Sequence, residues 1–169
     1  MSVAATEEEA KALLPIILKQ EETIHFSSFT SNDALALGLD ILNRLKQRTD
    51  KKPAVISISM CGRTVFKFAM DGTSPDNWHW IARKEATVYR FHHSSYYMGR
   101  YLASEQTTME QKYLVSEREY AAHGGAFPLI IDGLGVVGVI AVSGLPQAED
   151  HQLVVDAMED YMSKVGRHH

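Results

Sequence analysis

The sequence has little cysteine and no long apolar run. Cys61 is its single cysteine, so no disulfide can form within the chain. About 20 consecutive apolar residues are needed to cross a bilayer, and no segment approaches that length, so membrane insertion is not expected. The N-terminal region carries Glu7, Glu8 and Glu9, where a secretory signal would have cations and an apolar stretch. These absences predict a protein of the reducing cytoplasm.

The sequence also lacks a cluster of one charge sign. Its 17 basic and 21 acidic residues are mixed along the chain, and the formal net charge is -4. Binding to a phosphate backbone needs a stripe of Lys and Arg, so nucleic acid is not expected as a partner. No repeat or linker divides the 169 residues, which predicts a single domain over residues 1–169. His168 and His169 are either native or the remainder of a tag, and no function is assigned to them.

The N-terminal part is predicted to form a helix and a short strand. Thr6 and Glu9 have the spacing of a capping box, and an apolar helical period follows to about Gln20. A kink is expected at Pro15, because proline cannot donate a backbone hydrogen bond. Residues 23–29 predict a short strand.

A second helix and a hairpin are predicted next. The helix opens at residues 30–33, and its buried side is expected to consist of Leu35, Leu39, Leu42 and Leu45. Residues 54–60 and 64–70 have strand patterns on either side of Cys61-Gly62, which predicts a β-hairpin.

The C-terminal half is predicted to contain three helical regions and two strands. A long helix is expected from Pro75 to about Ala103, because Ser74 is a suitable cap and Pro75 suits the first helical position. A looser helical region is expected over residues 109–122. Residues 127–131 and 136–143 predict two strands, and Pro146 opens the last helix. With about five strands covered by helices, the pattern predicts one α+β layered fold.

The predicted long helix carries many rings and cations. Residues four apart lie on one side of a helix, which gives two neighbouring stripes: Tyr89, His93, Tyr97 and Tyr101, and His92, Tyr96 and Arg100. These side chains can bind a planar anionic ligand, or they can pack against the sheet or a second subunit. The residues leave both interpretations open.

Two other segments are candidate anion sites. The amides of Gly124 and Gly125 beside His123 can receive an anion, or the glycines can form a simple helix-to-strand turn. Residues 143–151 run from a strand into a helix N-terminus, which attracts anions. Because Glu149 and Asp150 already supply negative charge there, helix capping is the better interpretation.

Metal and hydrolytic sites are not expected. Zinc needs three or four converging His, Cys, Asp or Glu ligands, whereas the neighbouring His92 and His93 would point about 100° apart on a helix. Haem requires less, since one axial His or Tyr, an apolar slot and cations for the propionates suffice. Ser94 lacks the Gly-x-Ser-x-Gly surroundings of a nucleophile elbow. No catalytic residue is assigned, and the question of enzymatic activity stays open.

Several segments of the sequence resemble one known family. They are residues 55–58 with Gly62-Arg63, residues 70–72, residues 124–129, and residues 137–144 followed by Glu149-Asp150. Over roughly residues 24–162 the chain resembles the haem-degrading-domain superfamily of HbpS-like and GlcG-like proteins. Within it, residues 90–99 and 119–125 resemble a branch of cytosolic proteins of undefined activity from bacteria and fungi.

The resemblance implies a fold, an assembly and a ligand class. It implies a profilin-like α-β-α sandwich with a five-stranded antiparallel sheet, in which residues 1–22 form an N-terminal helix and residues 24–165 form the core. It also implies closed homo-oligomers built from dimers. Some relatives bind haem or another tetrapyrrole, so haem becomes the first cofactor to consider.

The leading hypothesis is a cytoplasmic homo-oligomer with a ligand pocket between the long helix and the Gly124-Gly125 loop. Its ligand would be haem or a related anionic planar molecule, and the candidate contacts are Arg90, His92, His93, Ser94, Tyr96, Tyr97, Arg100, His123, Gly124 and Gly125. In this hypothesis His93 or His123 contacts the ligand, the arginines neutralise carboxylates, and the tyrosines frame the ring. The alternative is a non-enzymatic oligomeric scaffold, in which the same aromatic residues bind subunits or a partner protein.

Overall fold

The computed structural model describes residues 3–166, with side chains from residue 6 onward, so His168 and His169 lie outside the described residues. Its elements in chain order are α1 (Val3–Thr23), α2 (Ser31–Gln47), β1 (Val55–Met60), β2 (Arg63–Ala69), α3 (Pro75–Phe91), α4 (Ser95–Ser104), α5 (Met109–Tyr113), β3 (Ala126–Ile131), β4 (Gly135–Ser143) and α6 (Gln147–Val165). No helix in this range is both long enough and apolar enough to cross a membrane.

The four strands form one antiparallel sheet in the order β2-β1-β4-β3. The predicted hairpin is confirmed, since Val55 pairs with Ala69 and Met60 with Arg63. Its turn is made by Cys61 and Gly62, with φ angles of 51° and 78°. Positive φ at both central positions is typical of the two-residue turn that matches the twist of a hairpin.

Helices flank the sheet on both faces. Ile56, Ile58 and Ile140 point into a core shared with α2 and α6. On the opposite face Val55, Val139 and Ala141 pack with Ile81 and Val88 of α3. Side chains therefore alternate between the two faces along each strand, as expected for a sheet that is covered on both sides. The α+β architecture with helical layers on either side is therefore confirmed.

The predicted fifth strand is wrong among the described residues. In the segment 23–29 only Phe26 pairs with the sheet, through a single parallel bridge to Ile131. The Phe26 amide donates to the Ile130 carbonyl at 3.0 Å, and the Phe26 carbonyl accepts from Asp132 at 2.9 Å. The segment stays irregular because the chain has only a few residues in which to pass from α1 to α2.

The second helix begins where its cap was predicted but buries a different side. The Thr30 amide donates to the Asp33 carboxylate at 2.7 Å, which completes a capping box. Leu42 and Leu45 are buried as expected, whereas Leu35 and Leu39 are 50% and 52% exposed. The helix faces the sheet instead through Ala34, Leu37, Gly38 and Ile41. A Cβ at Gly38 would lie 2.5 Å from the Phe66 ring, so this glycine permits the close approach to β2 that sets the helix phase.

The single long helix predicted over residues 75–103 is wrong. Helix α3 ends at Phe91, and His92 adopts a left-handed conformation with φ 57° and ψ 27°. Ser94 then caps α4, because its side chain accepts the Tyr97 amide at 3.0 Å. The Ser94 amide itself donates to the Glu21 carboxylate of α1 at 2.9 Å. The break thus depends on a contact with a helix far away in the sequence.

The other C-terminal predictions are confirmed, except that one helical region is shorter than predicted. Strands β3 and β4 lie where they were expected, and α6 follows Pro146 and buries Val154, Ala157 and Met158. In the region 109–122 only α5 is helical, and it ends at Leu114 with φ 58°. The remainder to residue 125 is a loop that runs along α3 and α4.

Candidate functional site

The break between α3 and α4 creates an open cleft of about 270 Å³, which we call the His93 cleft. Its lining residues are Phe91, His93, Tyr97, Met98, Tyr101 and Tyr113. Apart from His93, the lining side chains are Phe and Tyr rings and the thioether of Met98. The surface of the cleft therefore suits a flat, weakly polar molecule. This composition makes the cleft the first candidate for the ligand site.

His93 is held in this cleft by a buried carboxylate. Glu21 of α1 is only 5% exposed, and its Oε1 lies 3.0 Å from His93 Nδ1. The same oxygen accepts the Ser94 amide at 2.9 Å. No other residue of the described range hydrogen-bonds to the His93 ring, so Nε2 is the nitrogen left for a ligand. A carboxylate on one ring nitrogen fixes the tautomer and the orientation of the other.

Stacked rings continue from His93 along α4. The His93 and Tyr97 rings are 4.3 Å apart with an interplanar angle of 19°, and Tyr97 and Tyr101 are 6.3 Å apart at 4°. Burial, together with the nearby Glu21 carboxylate, raises the pKa of Tyr97. The phenol is therefore neutral at physiological pH and acts as a hydrogen-bonding group rather than a charge.

Two cations lie over aromatic walls of the cleft. Arg90 has its Cζ 5.8 Å from the Phe91 ring centroid, and Lys112 has its Nζ 4.7 Å from that of Tyr101. Lys112 also donates to the Tyr101 hydroxyl at 3.1 Å and pairs with Glu105. Neither cation is among the residues that line the cleft, and Arg90 also lies over the Tyr120 ring at 5.4 Å.

The structure divides the two predicted stripes. Tyr89 leaves its stripe, because its hydroxyl bonds to the Ser59 hydroxyl on the sheet at 2.6 Å. Tyr96 is buried against His151, with ring centroids 4.8 Å apart, and Arg100 lies over it at 5.6 Å. His92 is exposed at the helix break. His93 and Tyr97 are therefore the predicted contacts that share the His93 cleft.

Helix α4 and the glycine loop are in direct contact. A Cβ at Gly99 would lie 2.1 Å from the Ala122 carbonyl oxygen, and one at Gly124 would lie 2.9 Å from the Tyr96 ring. Beside this contact a cavity of about 230 Å³ lies between α4 and the loop, with Arg100 and His123 among its lining residues. The His123 ring is edge-on to Trp80 at 5.3 Å, and none of His123, Gly124 and Gly125 lines the His93 cleft. Their role in ligand binding stays a prediction, as does that of Arg90, Ser94 and Arg100.

A second cavity of about 270 Å³ lies beside His123, between α3 and the start of α6, and we call it the Lys84 cavity. Its lining residues are Asp76, Asn77, Trp80, Lys84, His123, Ser143, Gly144, Leu145, Gln147 and Asp150. Lys84 was not singled out from the sequence. The available signal was its spacing of three and four from Ile81 and Val88, which places a lysine on the buried side of α3.

Lys84 and Asp150 form a buried ion pair in this cavity. Their exposed fractions are 3% and 1%, and Lys84 Nζ lies 3.4 Å from Asp150 Oδ2. Nζ also donates to the Val142 carbonyl at 3.3 Å, and Asp150 Oδ1 accepts the Leu145 amide at 3.0 Å. Asp150 thus caps the turn before α6, as its place in the sequence suggested, and also pairs with α3.

Burial shifts the pKa values of the ionisable side chains in this cavity. It lowers the pKa of Lys84, and it raises the pKa of Asp150 to about 6. Burial, with the charges of Lys84, Arg83 and Arg100, lowers the pKa of His123, so that ring is neutral at pH 7. Removal from water always disfavours the charged form, and a single partner at long distance offsets this only in part.

A metal ion held by side chains alone has no suitable ligand set within residues 3–166. No group of three or more His, Cys, Asp or Glu side chains there converges on one point. A porphyrin brings four nitrogen ligands of its own, so one free imidazole nitrogen suffices to hold its iron. His93 meets this requirement, because Nδ1 is engaged and Nε2 is not.

Sequence comparisons relate most of the chain to known proteins. A family model described as "Haem degrading protein HbpS-like" matches residues 29–159. A UPF0303 protein of Serratia proteamaculans is 43% identical over 149 residues, which cover 88% of this chain and 91% of that protein. A UPF0303 protein of Schizosaccharomyces pombe is 40% identical over 153 residues, covering 90% and 86%.

Solved structures share the fold. The crystal structure of the Ybr137w protein superposes with a TM-score of 0.84 at 35% identity and covers 90% of this chain and 88% of that one. The HbpS crystal structure gives a TM-score of 0.60 at 17% identity, covering 78% and 88%. A PduOC:heme complex gives 0.63 at 18% identity, covering 78% and 94%. At such low identity the last two establish a common fold only.

Proposed function

Because the chain belongs to the family of HbpS-like haem-degrading proteins, we propose that it binds a planar aromatic ligand in the His93 cleft, with haem as the first ligand to test. The observation that carries this proposal is the Glu21–His93 pair, in which a buried carboxylate holds Nδ1 and leaves Nε2 free. Histidines that bind metals almost always donate their other N–H to such a partner. A haem-containing structure with the same fold supports the choice of ligand.

The residues of the cleft fit haem in three respects. His93 offers one ring nitrogen, Tyr97 and Tyr101 offer apolar ring surface, and Lys112 offers a cation near the tyrosine hydroxyl. Haem bound here would supply an iron centre, which His93 would hold through an imidazole of fixed orientation. Glu21 sets that orientation and does not itself contact the ligand.

The size of the cleft limits how the ligand is held. Pockets that enclose drug-sized ligands measure about 300 to 1,000 Å³, and the His93 cleft is open with about 270 Å³. We therefore expect it to enclose one edge of a tetrapyrrole and to leave the rest exposed to solvent or to a second copy of the chain. Exposure of this kind predicts modest affinity in the isolated subunit.

A haemin titration followed by absorption spectroscopy tests the proposal. We expect a Soret shift in the wild type and a loss of affinity of at least tenfold in His93→Ala, because the axial nitrogen is removed. The matched control is His92→Asn, which removes the neighbouring exposed imidazole and keeps a residue that tolerates the left-handed conformation at φ 57°. This control should bind haemin like the wild type.

The other outcomes reject the proposal or move the site. No Soret shift in the wild type would remove haem as a ligand. A shift that His93→Ala leaves unchanged and His123→Ala abolishes would place binding at His123, which lines the Lys84 cavity and the cavity between α4 and the loop. Circular dichroism of each variant shows whether the fold is retained, so a misfolded variant is not counted as a loss of binding.

We also propose that the chain forms homo-oligomers, and that α2 contributes to the contact between subunits. Leu35 and Leu39 are four residues apart, so they share one side of α2 and expose half of each side chain. Burial of the exposed half of each side chain against a second copy would stabilise the assembly by about 1 kcal/mol each. This assembly is also what the scaffold alternative requires.

Light scattering in line with gel filtration tests the assembly. The double variant Leu35→Ser/Leu39→Ser should lower the molar mass toward that of one chain. Leu134→Ser is the matched control, because Leu134 is 76% exposed in the turn between β3 and β4. A wild type that elutes as a single chain, or a double variant of unchanged mass, would refute the role of α2.

A further inference from the structure

The Lys84 cavity is lined by charged and polar side chains, which packing of the core alone would not require. Lys84 lines a cavity of about 270 Å³ together with His123, Ser143, Gln147 and Asp150. At roughly 30 Å³ for each water of the liquid, this corresponds to about nine water molecules. It therefore fits a small metabolite, and the proposed haem site is a different cleft.

The hydrogen bonds of the buried ion pair in this cavity are long. The Nζ–Oδ2 distance of 3.4 Å and the Nζ–O distance of 3.3 Å to Val142 exceed the 2.7–2.9 Å of strong charge-assisted bonds. Gly125 brings its backbone against the same nitrogen, since a Cβ at that position would lie 2.7 Å from Nζ. The amine is thus held in place by the chain around it, without a close partner for each of its protons.

Desolvation moves the pair toward its neutral form. Burial lowers the pKa of the Lys84 amine and raises that of the Asp150 carboxyl, so transfer of one proton from Nζ to Asp150 becomes easier than in water. A buried lysine whose pKa is lowered by desolvation is a common nucleophile toward carbonyl groups. Because burial brings these two pKa values closer together, the transfer of a proton between the two groups costs less free energy than it does in water.

We propose that the Lys84 cavity binds a small aldehyde or 2-oxo acid and that Lys84 forms an imine with it, with Asp150 as the proton carrier. Asp150 first takes a proton from the Lys84 ammonium group. The amine nitrogen then attacks the carbonyl carbon, the C–O π electrons move to oxygen, and the proton released by nitrogen makes the oxygen a hydroxyl group.

Dehydration completes the reaction. The nitrogen lone pair forms the C=N bond while the C–O bond breaks, and Asp150 returns its proton to the leaving hydroxyl, which departs as water. One carbonyl compound and one lysine give one protonated imine and one water, and Asp150 ends as a carboxylate. No oxidant, reductant or metal takes part, and the step at Lys84 is independent of haem binding at His93.

Reductive trapping tests the proposal on the full chain without haem. The protein is incubated with glyoxylate or propanal and sodium cyanoborohydride, and the modified lysines are identified by peptide mass spectrometry over time. We expect Lys84 to be modified at least tenfold faster than Lys52, although Lys84 is 3% exposed and Lys52 is on the surface. Faster modification with glyoxylate identifies an oxo acid as the preferred class, and faster modification with propanal identifies a simple aldehyde.

Variants separate this chemistry from a structural role of the ion pair. Asp150→Asn retains an oxygen that can accept the Leu145 amide but cannot carry the proton, so trapping at Lys84 should slow by at least tenfold. Lys52→Arg is the matched control and should leave trapping at Lys84 unchanged. If Lys84 in the wild type is modified no faster than Lys52, the proposal is wrong. Trapping at an unchanged rate in Asp150→Asn would overturn the role of Asp150.

Discussion

Two buried carboxylates hold a nitrogen group in this molecule, and they do so in different ways. Glu21 binds the His93 ring at 3.0 Å and a backbone amide at 2.9 Å, while the imidazole remains partly exposed in its cleft. Asp150 meets an amine that is as deeply buried as itself, at 3.4 Å. The first pair fixes the orientation of a ring that stays in contact with solvent. The second removes both partners from water.

This difference teaches how depth changes the role of an ion pair. A partly exposed partner keeps its hydration, so the carboxylate serves mainly to orient it. A fully buried pair loses hydration on both sides, and its bonds here are too long to restore the whole loss. We therefore expect the Glu21 pair to control ligand binding and the Asp150 pair to control stability and proton transfer.

The largest effect is expected for Asp150→Ala. Removal of one partner from a buried pair leaves an unpaired amine, which destabilises a protein by about 3–5 kcal/mol. Urea denaturation followed by circular dichroism measures the change in unfolding free energy. The double variant Lys84→Met/Asp150→Leu should recover part of the loss, since it leaves no buried charge. A single variant within 1 kcal/mol of the wild type would show that the pair behaves as a surface contact.

The next effect concerns His151, the buried histidine without a carboxylate partner. Burial lowers its pKa to about 4, against about 6.5 in an unfolded chain. The unfolded state therefore binds the extra proton between these values, and the stability that His151 contributes at pH 7 is lost as the pH falls from 6.5 to 4. The expected loss is about 3 kcal/mol.

The raised pKa of Asp150 opposes this change, since protonation of that residue is easier in the folded state. Comparison of the wild type with His151→Gln at pH 7 and pH 4 isolates the histidine. The difference in unfolding free energy between the two proteins should shift by about 3 kcal/mol in favour of the variant at the lower pH. A constant difference would mean that His151 is protonated in the folded state as easily as in water.

A smaller effect on stability and a clearer one on binding are expected for Glu21→Gln. The amide can still accept one hydrogen bond but loses its charge, so the cost is about 1–2 kcal/mol in unfolding free energy. The haemin dissociation constant should rise by about tenfold, as for the loss of an outer partner of a metal ligand. Gln20→Ala on the same helix is the control for haemin binding. Equal haemin affinities of Glu21→Gln and the wild type would show that binding at His93 does not depend on the Glu21 carboxylate.

The smallest effect is expected for Glu105→Ala. Glu105 pairs with Lys112 at the surface, where solvent and salt screen the attraction. The midpoint of urea denaturation should not change. A clear shift of the midpoint would show that the surface around the His93 cleft is more rigid than its exposure indicates.

The positions of the four strands along the sequence could be predicted from local patterns. The hairpin around Cys61-Gly62 and the apolar run of β4 have the alternation and turn residues that the sheet requires. The phase of α2 could not be predicted in this way, because leucines occur on two sides of it. Contact of Gly38 with Phe66 of β2 decides which side is buried, and that contact joins distant segments.

The break at His92 was missed for a related reason. The segment contains neither glycine nor proline, and Ser94 resembles any serine within a helix. Its cap becomes favourable because the Glu21 carboxylate receives the Ser94 amide from outside the helix. The candidate site was predicted in part: His93 and Tyr97 share a cleft, whereas Lys84 was overlooked because lysine is expected at the surface.

The Glu21 contact also bears on how short a functional form of the chain can be. The match to the family begins at residue 29, after the end of α1. A fragment cut at that boundary would keep all four strands and His93 but would lose the group that orients its ring. We expect such a fragment to resemble the family in its spectrum of secondary structure while its ligand affinity falls, because a boundary drawn from sequence similarity alone separates Glu21 from the imidazole that it orients.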